Sequence, residues 1–97
     1  MTQRSSVDRL LAPVFEWLAG TRDPWDMDLE YWRIRRELMD GGEMFDGPAA
    51  SFLSNIDTAM DSFSPDSDRD PHQIDEAQLR AEVEGALSSL RKLGYVD

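Results

Sequence analysis

The 97-residue sequence predicts an all-α protein, an antiparallel four-helix bundle. Apolar residues recur at three- and four-residue spacing in four separate stretches, strict alternation of apolar and polar residues is scarce, and Gly or Pro punctuates the chain between stretches. Four helices of roughly 13 to 19 residues joined by short turns bury such stripes most directly against antiparallel neighbours. There is no internal repeat and no dividing linker, and a chain of this length supplies one core, so a single domain over residues 1–97 is expected.

The first helix carries Val7, Leu10, Leu11, Val14, Phe15 and Leu18 on one side, opens at Ser5 or Ser6 and closes near Gly20. Pro13 lies inside that pattern and is expected to kink the helix or to mark its real start, because proline lacks the N–H an interior position donates. The second helix is expected to be capped by Asp26 or Asp28, to run to Met39 and to end at Gly41 and Gly42. Met27, Tyr31, Ile34 and Leu38 form one stripe along it, and Trp25, Leu29 and Trp32 a neighbouring one, a width that suits a helix touching two others. Pro48 fits the first position of a third helix striped by Phe52, Ile56, Ala59, Met60 and Phe63 and halted by Pro65. Residues 64–74 hold two prolines and three acids and read as a loop. Asp75 with Gln78 reads as a capping box, followed by Leu79, Val83, Ala86, Leu87, Leu90 and Leu93 on the last helix and Gly94 as its stop.

Composition excludes several chemistries. With no cysteine there is no disulfide framework, thiolate metal site or cysteine nucleophile. His72 is the single histidine, beside Pro71 in a polar loop, with no partner in the pattern to orient it as a base. Asp66, Asp68 and Asp70 alternate like a calcium loop, but Pro71 stands where the sharp-turn glycine belongs and Ala77 where the bidentate glutamate belongs. No phosphate-binding glycine loop or nucleophile elbow occurs. The expectation is therefore no enzyme, no cofactor and no metal. The first residues lack an apolar run of signal-peptide length, and the most apolar stretch, Leu10 to Gly20, is broken by Glu16, so a soluble protein kept in the cytoplasm is expected, without a membrane partner.

Charge carries the functional signal. Twenty acids oppose ten bases, a net charge of -10, which disfavours direct contact with nucleic acid and favours a basic protein surface. Seven of the acids and only one base, Arg69, lie between Asp57 and Glu76. Asp57 and Asp61 are four apart near the C-terminal end of the third helix, where like charges repel and oppose the helix dipole, and Asp66, Asp68 and Asp70 continue the negative surface. A local rule broken without a structural gain marks a candidate binding surface. The plainer reading is a solvated face that keeps the chain soluble, with Asp68 and Arg69 paired within the loop. Arg33, Arg35 and Arg36 form the basic cluster and are expected to pair with neighbouring acids.

From Asp57 onward the sequence resembles the colicin D immunity protein family of bacterial self-protection proteins. Phe63-Ser64-Pro65-Asp66-Ser67-Asp68-Arg69, Ile74-Asp75-Glu76, Leu79 to Val83 and Leu87 to Leu90 carry the resemblance. In that family the same order appears: an aromatic residue, Pro-Asp-x-Asp-Arg, then an Ile-Asp pair opening an amphipathic last helix. The resemblance implies a four-helix bundle that binds the C-terminal nuclease domain of a cognate toxin, a tRNA anticodon-loop ribonuclease, and covers its basic active site with acidic side chains where tRNA phosphates would lie. It places Asp61 on an acidic family position and Asp66, Asp68 and Arg69 on the motif, with Ser64 where the colicin D branch carries another acid. Asp57 and Asp70 are candidates from charge alone. A cytoplasmic immunity protein that does not itself contact nucleic acid is thus the expected function. The competing expectation is a small acidic antagonist of a basic nucleic-acid-binding protein.

Overall fold

In the computed structural model, which describes residues 3–42, 45, 47–64 and 73–96, the chain forms four helices: α1 (Gln3–Leu18), α2 (Pro24–Asp40), α3 (Gly47–Ser62) and α4 (Glu76–Lys92). The all-α class and the four helices that a bundle requires are present, each 16 or 17 residues long. They are organised as two compact units, Met1–Phe45 with Gly94–Asp97, and Asp46–Leu93. Each unit is built on a packed helix pair, α1 with α2 and α3 with α4. Among the described residues no helix is long and apolar enough to cross a membrane.

In the first unit, Val7, Leu10, Leu11, Val14 and Trp17 of α1 and Met27, Tyr31, Ile34 and Leu38 of α2 are buried. Two expectations are corrected here. α1 begins before Ser5 and continues through Pro13, which is itself buried; the surrounding packing outweighs the missing backbone bond. α2 is capped neither by Asp26 nor by Asp28. Its N-cap is Asp23, whose carboxylate accepts the Asp26 N–H at 2.9 Å, with Pro24 following in the first turn, where no N–H is needed.

The turn between them is a Schellman motif. Thr21 N–H donates to the Glu16 carbonyl at 2.9 Å and Gly20 N–H to the Trp17 carbonyl at 3.0 Å, with Gly20 at φ +84°. That left-handed conformation is accessible to glycine without a Cβ penalty. Arg22 then joins the two helices, pairing with Glu16 at 2.6 Å and Asp26 at 3.2 Å, and Arg9 pairs with Glu37 further along. Exposed pairs of this kind contribute only about 0.2–1 kcal/mol each, so they tune alignment and leave most of the stability to the core.

In the second unit, Ala49, Leu53, Ile56, Ala59 and Met60 of α3 and Leu79, Val83, Ala86, Leu87 and Leu90 of α4 are buried. Asp75 caps α4 as expected, its carboxylate accepting the Gln78 N–H at 2.8 Å. The first residue of this helix is acidic and its last turn holds Arg91 and Lys92, both matching the dipole. Between α3 and α4 the reading as a plain loop is incomplete: Phe63 and Ile74 form an isolated parallel β-bridge.

Core and cap contributions separate by mutation. Leu53→Ala, at a fully buried site, should lower the unfolding free energy by about 2–5 kcal/mol. Asp75→Ala should lower it by about 1 kcal/mol and Asp75→Asn by much less, as measured by urea unfolding followed by circular dichroism.

Candidate functional site

The rotation of about 100° per residue places Asp57 and Asp61 on one flank of α3, each next in sequence to an inward residue, Ile56 or Met60. Asp57 is half-buried and Asp61 exposed, about 6 Å further along the axis. The opposite flank of α3, with Phe52 and Asn55, meets Glu82 and Ser89 of α4 across an open groove of about 440 Å³. Because α3 packs against α4 and the bridge joins the end of α3 to the start of α4, the pair is antiparallel. Glu76, exposed at the first position of α4, therefore lies at the same end of the hairpin as Asp61 and away from the groove.

The bridge brings the two sides of the acidic loop together. Ser64 N–H donates to the Ile74 carbonyl at 3.0 Å, and Ile74 N–H donates to the Ser62 carbonyl at 2.9 Å. Phe63 and Ile74 are buried beside these bonds, as is Ser64. Residues 65–72 thus connect two points held at roughly the 5 Å spacing of paired strands. Asp66, Asp68, Arg69 and Asp70, and with them His72, lie outside the described residues. Of the six candidates, Asp57 and Asp61 are placed, and the structure adds Asp75 and Glu76 at the same end of the hairpin. Their signal was present in the local charge, but the capping pattern alone did not reveal that they would lie beside the end of α3.

Residues 57–64 and 73–76 together hold four acids and no Lys or Arg. Carboxylates only accept hydrogen bonds when ionised, so this end of the hairpin suits guanidinium and ammonium groups. Among the described residues no three His, Cys, Asp or Glu side chains gather closely enough to hold a metal ion. In the groove on the other flank, the hydroxyls of Thr58 and Ser89 donate to carbonyls of their own helices, Ser54 and Gly85, and Asn55 and Glu82 are the other polar side chains of its lining.

The basic cluster on α2 is divided among different tasks. Arg33 is hydrogen-bonded to both Glu30 and Glu37, the Arg33 Nε to Glu30 distances being 3.0 Å. Arg35 lies over the Phe45 ring at 5.2 Å from its centroid. Arg36 is exposed. The hydrogen bond from Arg33, opposed by partial desolvation, holds the Glu30 carboxyl below the usual glutamate range. The chain matches no family model, no curated protein and no solved structure.

A lowered carboxyl pKa stabilises the fold above the unfolded-state value and loses that contribution as pH falls through the folded value. Carboxyl carbon shifts followed through an acid titration should show Glu30 titrating at lower pH than a glutamate in an unstructured peptide. Arg33→Gln should move that titration upward.

Proposed function

We propose that this chain is an inhibitor that covers the active site of a basic nuclease domain, an immunity protein of the colicin D type acting in the cytoplasm on its cognate tRNA-cleaving toxin. The carrying observation is the concentration of charge: residues 57–76 hold seven acids and one base, -6 of the net -10. The Phe63–Ile74 bridge supports this reading, because it brings the end of α3 that carries Asp61 beside the start of α4 that carries Asp75 and Glu76. So does the resemblance carried by Phe63 to Arg69 and by the residues from Ile74 onward.

An RNA-cleaving site must present positive charge to the phosphates it holds, and a surface of carboxylates competes for the same groups. In this reading the chain performs no reaction and does not touch the nucleic acid. It binds the protein surface that tRNA would occupy. Long-range attraction speeds the encounter, while a few charge pairs buried on contact supply affinity. Asp61, Asp66, Asp68 and Arg69 are assigned to contact, with Asp57 and Asp70 extending the surface.

The experiment is tRNA cleavage by the nuclease domain encoded next to this chain, with and without an equimolar amount of it. Protection is the expected result, and full cleavage with no complex formed overturns the reading. Capture of a basic nucleic-acid-binding protein that cleaves nothing would favour the antagonist reading instead. Asp61→Lys combined with Asp66→Lys should abolish protection while helical content and melting temperature stay nearly unchanged. Association should slow at least tenfold between about 50 mM and 500 mM salt, as stopped-flow binding would report.

A further inference from the structure

Among the described residues, three of the four exposed large hydrophobic side chains lie on the outer face of α2. Trp25, Leu29 and Met39 are 55%, 56% and 64% exposed, Trp32 is half-buried and Arg36 is exposed. These five residues are spaced by four, three, four and three, which confines them to a sector about 80° wide on the side of the helix away from buried Met27, Tyr31, Ile34 and Leu38. The sequence pattern suggested a stripe adjacent to the buried one that would meet a second neighbour in the fold; in the structure it lies roughly opposite and faces outward. A 4-3-4-3 spacing is the narrow seam of a coiled coil, so the shape it fits is another helix.

We infer that this seam pairs with the same seam of a second copy of the chain, antiparallel, around a two-fold axis passing between residues 30 and 31. Charge decides the direction. A parallel pair in register would set Arg36 against Arg36 of the second copy, two like charges in an apolar seam. The antiparallel pair sets Arg36 over the face of the second copy's Trp25 and Leu29 against its Trp32, and symmetry repeats both contacts. The cation then meets an aromatic face, the arrangement Arg35 already makes with Phe45 inside one chain. The four positions Trp25, Leu29, Trp32 and Arg36 are their own complement about that axis, as a closed two-fold interface requires, with Met39 beyond them.

Only about three turns of one helix from each copy take part, so the interface is at the small end of specific contacts and the dimer is weak. Each copy also carries -10, and screening that repulsion strengthens the dimer. Salt therefore acts here with the sign opposite to its effect on a complex made through the acidic end of the α3/α4 hairpin. The inference does not depend on the inhibitor reading.

Sedimentation equilibrium of the purified chain up to about 1 mM, in low and high salt, tests it by mass action. The average mass should climb from 11.1 kDa toward twice that value, more steeply in high salt. Leu29→Asp, at an exposed site, should weaken the dimer at least tenfold with helical content unchanged, and Arg36→Glu should weaken it where Arg36→Lys does not. Because the chain has no cysteine, Leu29→Cys mixed with Trp32→Cys should cross-link as a heterodimer faster than either alone. A single 11.1 kDa species throughout, a dimer indifferent to Leu29→Asp, or faster self-cross-linking of Leu29→Cys would overturn the inference. So would a monomer whose α2 face is needed for binding a different protein.

Discussion

Helices of 16 or 17 residues are marginal in water on their own, and burial of one apolar stripe against another is what the remaining features depend on. Leu10, Leu11, Val14 and Trp17 share one hairpin with Met27, Tyr31, Ile34 and Leu38; Leu53, Ile56 and Met60 share the other with Leu79, Val83, Leu87 and Leu90. Each large aliphatic side chain fully removed from water contributes about 1.5–3 kcal/mol, against about 0.2–1 kcal/mol for an exposed ion pair. The pairs that Arg9, Arg22 and Arg33 make are therefore secondary in energy. They lie where α1 meets α2 or along the exposed side of α2, and they help to align helices that the core already holds.

That imbalance lets the second hairpin tolerate a concentration of like charge. Asp57 and Asp61 repel each other and oppose the dipole at the end of α3, at a cost of a few tenths of a kcal/mol per pair. The buried stripe beside them outweighs it. Two backbone hydrogen bonds between Ser62, Ser64 and Ile74 then gather the end of α3 and the start of α4, so Asp61 on one helix and Asp75 and Glu76 on the other lie at the same end of the hairpin.

α2 serves two masters in a different way. Its inward stripe is the first unit's core, while its outward seam of Trp25, Leu29, Trp32 and Met39 keeps large apolar groups in water with Arg36 among them. In the two proposals made above, the acidic end of the second hairpin would attract opposite charge and weaken with salt, and the seam would act through contact and be helped by screening.

Helical periodicity, the Asp75 cap and the glycine stop after α4 were legible in the sequence because they are local: a 3.6-residue period, a side chain within reach of an N–H three residues on, a backbone angle that glycine adopts freely. The acidity of residues 57–76 was equally legible, since counting charge needs no structure. Asp23 as the cap of α2 was missed because three aspartates compete within six residues, and Pro24 decides among them only once the turn from Gly20 is built. The unbroken course of α1 through Pro13, the Phe63–Ile74 bridge and the outward turn of the Trp25 seam required tertiary structure. Each depends on which residues distant in sequence pack together, and a proline in a helix, an isolated backbone pair or a tryptophan in water has no fixed meaning until those neighbours are in place.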